Sequence, residues 1–460
     1  MRRPVLFLGP ALALAVGAPA PGAPAGSEGW KVPVEVKKLA NGLTVVVSED
    51  RSSPTFGISI AYRVGFRLEP KGRTGFAHLF EHMMFQGTPR APKGVYDRVI
   101  EGGGGITNGS TRYDYTNYIA SAPVSALDTV LWLEADRMTT LDFSPQNLKN
   151  QQEVVKEEIR VNVKNRPYGL FFWTDLAGKA FDRWENAHDG YGSFEDLDAA
   201  TLEDVESFFR TYYTPGSAVV AVAGDVTPSE VFAKVEKYFG ALPSRDAPAP
   251  PDLTEPPNRG ERTLEQTDAL ARVPGLALAW KVPPRASGDY AAAAVLGDVL
   301  AGGEASRLYQ GLVKGRELML QVQGGLAWPF ESPWYVSGPA LMTFFGLYKP
   351  DTNARAVVDA VQEEVRKIAE QGVSGAELRR VKTKMRSDFY SSLELFVRRA
   401  DALAILQLLT GDAGEVNAIP GRLEAVSAAD VQRVAAGYLT AAGRTWVDRR
   451  PAAGAPPAEQ

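Results

Sequence analysis

Thr201, Asp204, Val205, Tyr212 and Thr214 recur as Ser427, Asp430, Val431, Tyr438 and Thr440, each 226 residues further on. Thr201 to Asp204 and Ser427 to Asp430 both have the spacing of a capping box, with Asp in place of Glu, so each opens a helix. A repeat of this period in a chain of 460 residues predicts two related halves rather than one large core. Between Leu242 and Asn258 lie Pro243, Pro248, Pro250, Pro251, Pro256 and Pro257, which predict a semi-stiff, extended tether. The expected organisation is a lead at 1–29, a first domain over 30–242, the tether over 243–262, a second domain over 263–450 and a disordered tail at 451–460.

The local patterns mix both periods, so each half is α+β, an α/β sandwich with a mixed, largely antiparallel sheet packed against helices. Val32, Val34 and Val36 lead to Asn41-Gly42, a strong hairpin signal, and on to Leu43, Val45 and Val47. Phe56, Ile58, Ile60 and Tyr62 alternate, which predicts a strand with one buried face. A short helix is expected over 95–100, ended by Gly102 to Gly105, and a strand over 107–120. Helices follow over 124–140 and 145–163, then an apolar strand over 217–223 and a helix over 228–239. In the second half a strand is expected over 275–281, helices over 290–300 and 354–371, and a further helix capped by Ser374 and Glu377.

The first half contains His78, Glu81 and His82, within TGFAHLFEHMMFQGT. The whole chain has 3 histidines. At about 100° per residue the three side chains fall in one sector of a helix, with Leu79, Phe80, Met83 and Met84 turned into a core. Two imidazoles at i and i+4 can clamp one metal ion, and a carboxylate between them can take a proton from an attacking water. With 0 cysteines, any metal must be held by His, Asp or Glu, and disulfides are excluded. The remaining histidine, His188, sits in a Gly/Asp-rich stretch and is expected to be exposed. An acidic residue on the 145–163 helix is therefore the natural third ligand, with Glu153, Glu157 and Glu158 available. The second half has no histidine and cannot house a copy of the site.

A net charge of -5 without a basic run gives no reason to expect nucleic acid as a partner. Arg2, Arg3 and an apolar stretch over 5–16, followed by small residues at 16–18 and 23–25, read as a secretory signal. That stretch is too short to span a bilayer, so no stable membrane span is expected. No cysteine follows it to carry a lipid. The expected location is a periplasm or the cell exterior.

The chain resembles the pitrilysin/insulinase family of inverzincin metallopeptidases, and most of all the short two-domain branch that includes mitochondrial processing peptidase and its bacterial relatives. The likeness rests on GRTGFAHLFEHMMFQGT, NGSTRYDYTNYIASAP, NQQEVVKEEIRVNVKNRPYG, SFEDLDAATLEDVESFFRTYYTPGSAVVAVAGDV and ASRLYQ. It implies a processing-peptidase-like metallohydrolase fold and a zinc endopeptidase. In the family the third ligand is a glutamate about seventy-five residues after the second histidine. That points to Glu158, with Glu157 one step off. By the same likeness His78, His82 and Glu158 hold Zn2+, Glu81 is the general base, and Asn108, with Gly109 and Ser110, meets the substrate backbone as an added strand. Ser110 and Tyr118 are candidates to shape a side-chain pocket. A clam-shaped chamber admitting unfolded or small peptides is also implied.

One segment departs from the family. Active members use an Arg and a Tyr at the positions matching Val313 and Leu320, neither of which can donate a hydrogen bond from its side chain; Arg316 stands at the wrong spacing. A chain with the metal motif but without that pair resembles the metal-bearing subunit of a heterodimer, whose homologous partner lacks the motif. A homodimer is the alternative. The rival function is a non-catalytic structural subunit, or a peptide-binding one, with the same fold.

Overall fold

The computed structural model describes residues 30–245, 248–329 and 331–452. The expected signal and lead at 1–29 lie outside the described residues. So does the predicted tail from 453 on. Pro451 instead closes the last strand, and the Ala452 N–H donates to Asp268 O at 3.2 Å.

Six strands come from the first half: β1 (Glu35–Lys38), β2 (Thr44–Glu49), β3 (Thr55–Tyr62), β4 (Ile106–Thr111), β5 (Thr116–Pro123) and β6 (Ala218–Gly224). They form one sheet in the order β1-β2-β6-β3-β5-β4. Five come from the second half: β7 (Arg262–Asp268), β8 (Gly275–Lys281), β9 (Met319–Leu326), β10 (Leu341–Tyr348) and β11 (Arg444–Pro451). Their order is β7-β11-β8-β10-β9. Leaving out β1, the two sheets match strand for strand. β2 with β6 and β7 with β11 are parallel, and every other pair is antiparallel. The helices Leu202–Tyr212 and Ala428–Tyr438 both begin with a complete capping box, on Thr201/Asp204 and on Ser427/Asp430. The internal repeat is thus a repeat of topology.

The stretch 107–120 is two strands rather than one. The chain turns at Arg112–Tyr115, where the Arg112 N–H donates to Tyr115 O at 2.8 Å, and β4 pairs back on β5. Uniform β-branched and aromatic content hid that turn. β4 is left as the free edge of its sheet.

The strand at 55–62 is buried on both faces, not one. Its second face carries Gly57, Ser59 and Ala61, residues small enough for a helix to lie directly on them. That helix is Phe396–Thr410, from the second half, and it packs across β3 and β6. A Cβ built on Gly57 would stand 2.1 Å from the Val397 nitrogen. In return the first half's Thr174–Ala180 helix lies on β8 and β11, over a cluster of Leu176, Ala277, Ala279 and Val447. Each half therefore lends a helix to seal the other's sheet. Ser59 Oγ donates to Asp401 Oδ1 across this contact at 2.8 Å.

The tether is fastened to its surroundings. Glu255 accepts the Asp182 and Arg183 N–H groups at 2.9 and 3.1 Å, and takes an ion pair from Lys281 at 2.9 Å. Among the described residues no helix is long and apolar enough to cross a membrane.

Candidate metal centre

The H-x-x-E-H stretch forms the helix Phe76–Met83, with Leu79, Phe80, Met83 and Met84 all buried. Phe80 packs in an aromatic cluster with Tyr213, Phe208 and Phe209. No side chain at the N-cap closes the first turn. Gly75 takes that place with φ 81°, a left-handed conformation that favours glycine, and a Cβ there would also meet Tyr191 O at 2.6 Å. The orphan amides are answered from further back. The buried Glu69 carboxylate accepts the Gly75 N–H at 3.0 Å and the Ala77 N–H at 2.8 Å, a negative charge at the positive end of the helix.

His188 holds that carboxylate. Its Nε2 is 3.1 Å from Glu69 Oε2, its Nδ1 2.8 Å from Trp184 O, and its ring stacks on Trp184 at 4.0 Å. The expectation of an exposed histidine was wrong, since the side chain is 4% exposed. A Gly/Asp-rich local composition carried no sign of the tertiary partner waiting for it.

The helix Pro145–Ile159 starts at Ser144, which accepts the Asn147 N–H at 3.3 Å, with proline in the first turn. It packs against the motif helix. Its last turn brings Glu158 Oε2 to 3.4 Å from His82 Nε2 and 3.6 Å from His78 Nε2, and the two ring nitrogens are 3.3 Å apart. Glu157, one residue away, points to solvent and pairs with Arg160 at 2.9 Å, while Glu153 pairs with Lys156 at 2.7 Å. Beyond Ile159 the backbone widens into a π turn, and Asn162 Nδ2 reaches Glu158 Oε1 at 3.4 Å.

The donor set fits a metal ion. Ligands about 2.0–2.2 Å from a tetrahedral zinc stand about 3.3–3.6 Å from one another, which matches all three separations here. Two imidazole lone pairs and a carboxylate oxygen facing one point repel unless a proton or a metal cation lies between them. Burial, then His82, holds His78 down to about 4 against the pull of Glu158, so its ring is neutral at ordinary pH with a lone pair to donate. The hydrogen bond from His82 outweighs burial and keeps Glu158 below the usual carboxylate range. Among the described residues this is the one group of three or more His, Asp or Glu whose ligand atoms all lie within 4.8 Å. The same donors suit manganese or cobalt.

Glu81 lies beside this point. Burial raises it above the usual carboxylate range, opposed chiefly by the Thr111 Oγ1 hydrogen bond at 2.5 Å. A cavity of 190 Å³ opens over His78, Glu81 and Glu158, walled by Thr111, Trp173 and Tyr191. Gly109 and Ser110 line it too. Asn108 is exposed on the β4 edge next to it, its Oδ1 accepting the Gly109 N–H at 2.9 Å. Tyr118 does not line this cavity. It is 1% exposed in the core beneath β5, facing the Tyr213 hydroxyl at 3.1 Å. Val313 is half-buried against a hydrophobic cluster that includes Leu308 and Leu312, Leu320 is exposed on β9, and Arg316 pairs with Glu363 at 2.7 Å. Sequence reasoning missed Glu69, Thr111, Trp173 and Tyr191. Only Thr111, two residues beyond Gly109 on the same strand, carried a local signal.

Two family models match the chain: Insulinase (Peptidase family M16) over residues 44–170, and Peptidase M16 inactive domain over residues 199–385. The zinc protease PqqE of Helicobacter pylori is 29% identical over 77% of this chain and 79% of its own. An uncharacterized zinc protease of Streptomyces coelicolor is 27% identical over 87% of this chain and 86% of its own. Among solved structures, a protease from Helicobacter pylori superposes with a TM-score of 0.84 at 27% identity, covering 91% of this chain and 100% of that one.

Proposed function

Because this chain belongs to the pitrilysin/insulinase family, peptidase family M16, we propose that it is the metal-bearing subunit of an exported zinc endopeptidase cleaving unfolded or small peptides in a closed chamber. The observation that carries this reading is the convergence of His78, His82 and Glu158 at tetrahedral spacing beside Glu81, a half-buried glutamate outside that ligand group. Zinc held by these three residues would supply Lewis acidity toward a peptide carbonyl and lower the pKa of a water toward about 7. Glu81 takes the proton from the attacking water and returns it to the leaving amine nitrogen; burial raises its basicity for this task, and the Thr111 hydroxyl fixes its orientation. The free edge of β4 hydrogen-bonds the substrate as an added strand. Gly109, with no side chain, lets β4 itself come up against Glu81. The basic start and apolar stretch before residue 17 support export.

The partner in this reading is a homologous chain without the metal motif, bringing the Arg and Tyr that Val313 and Leu320 do not provide. The same two positions, and the description of the second family model as an inactive domain, favour the second reading, a non-catalytic structural or peptide-binding subunit. The test is hydrolysis of a quenched-fluorescence peptide library by the zinc-loaded chain, alone and with homologous chains carrying that Arg/Tyr pair. Turnover that appears on adding a partner supports the peptidase. Tight peptide binding without turnover in every combination would sink it.

A further inference from the structure

The second half contains a cavity of 720 Å³ between the loop after β8 and the helix Glu415–Ala425. Arg285, Ser287, Thr410, Trp334 and Arg422 line it, and none of these residues lines the metal cavity. The Arg285 side chain is 12% exposed. Both of its Nη atoms are buried and have no hydrogen-bond partner among the described residues. Glu415, which also lines the cavity, forms a long ion pair with Nη2 at 3.9 Å, beyond hydrogen-bond reach, and its carboxylate is held by Arg422 at 2.5 Å. The other acids nearby are engaged as well. Asp430 caps its own helix through Ser427 and pairs with Arg433 at 2.8 Å, and Asp289 accepts from Arg433 at 2.6 Å.

A second feature converges on the same place. The helix Tyr290–Ala301 begins at Asp289 with no capping hydrogen bond from a side chain, and its first-turn residues Ala291 and Ala292 line the cavity. An uncapped helix start attracts negative charge. Beside it lies a guanidinium fork whose planar donors match a carboxylate or a phosphate two at a time. Burying such donors without a hydrogen bond is unfavourable, and an incoming oxyanion removes that cost.

We propose that this cavity is a binding site for a small oxyanion group, a carboxylate or a phosphate, gripped by Arg285 with Arg422 and the start of the Tyr290–Ala301 helix around it. The proposal does not depend on hydrolysis at the metal. Its test is isothermal titration calorimetry on the full-length, zinc-loaded protein with inorganic phosphate, and with a short acetylated peptide bearing either a free or an amidated C-terminus. Saturable binding of phosphate, or of the free but not the amidated peptide, is expected, and which probe binds identifies the source of the oxyanion. Arg285→Lys keeps the charge but loses the fork, and should weaken that binding at least about 10-fold. Arg285→Gln should abolish it, and Arg316→Gln should leave it unchanged. Should Arg285→Gln not fold, Arg285→Lys and Ser287→Ala carry the test. The proposal is overturned if no probe gives a saturable signal, or if the Arg285 variants bind as the wild type does.

Discussion

His188 Nε2 lies 3.1 Å from Glu69 Oε2, and that carboxylate in turn receives the first amides of the motif helix. The histidine that takes no part in the candidate metal centre therefore anchors the element that carries it. Burial is the largest influence on His188 and pulls it down, but the bond to Glu69, the charge of Glu69 and the Trp184 and Phe66 carbonyls outweigh it, so its net displacement is upward. A raised histidine contributes stability that is complete below about pH 6.5 and is lost as pH rises through the raised value. Glu69 is also displaced upward, burial outweighing His188 and the two amides, and its share of the dependence begins lower, above about pH 4.5. Melting temperature should therefore fall as pH rises above about 6.5 in the wild type, and fall less in His188→Gln. That variant should lose about 3–5 kcal/mol near pH 6, the cost of stranding one member of a buried pair. An identical slope in both proteins would remove His188 from this role.

Glu158 and Glu157 separate cleanly by metal content. Glu158→Gln should lower zinc affinity by more than the roughly 10–100-fold typical of an outer partner, and Glu157→Gln should leave it unchanged. Elemental analysis after dialysis against a mild chelator reads both. The reverse result would transfer the ligand to Glu157.

Gly109 faces Glu81 so closely that a Cβ there would lie 3.1 Å from Glu81 Cγ and Oε1. Gly109→Ala should push the proposed base aside and lower kcat by about 10–100-fold with zinc content intact. Glu81→Gln should lower it by about 100-fold or more, also with zinc retained. Steady-state kinetics of the reconstituted enzyme checks the pair, and full activity in Glu81→Gln would refute its assignment as the base.

Gly57 sits under the lent helix, whereas Gly437 stands on an exposed helix face, where an added Cβ would meet nothing within 4 Å. Alanine should act with opposite signs at the two sites. Gly57→Ala forces β3 and the Phe396–Thr410 helix apart and should cost about 3 kcal/mol or more. Gly437→Ala should gain about 0.5–1 kcal/mol through helix propensity. Urea unfolding of the two variants decides it. A neutral Gly57→Ala would mean that the helix exchange is loose.

Much of the fold was legible because its signals are local. Asn41-Gly42 announced the β1–β2 hairpin, Ser374 with Glu377 a helix start, and two capping boxes 226 residues apart the repeated topology. The misreadings share one cause. Ser59 and Ala61 read as a solvent face because small residues look alike whether water or a helix covers them. His188 looked exposed because the groups that bury it, Glu69 and the Trp184 ring, are recognised only once the chain has folded.

By itself the sequence determined that His78, Glu81 and His82 share one side of a helix, since the angle between residues on a single element follows from their spacing. It also determined that the second half could hold no copy of the centre, having no histidine to offer. Only the tertiary structure decided that Glu158 rather than Glu157 meets those rings, that each half seals the other's sheet, and that the Arg285 Nη atoms are buried without a hydrogen-bond partner among the described residues. Those outcomes depend on distances between elements remote in the chain. Such distances are set by how side-chain volumes pack together, which no periodicity along one segment encodes.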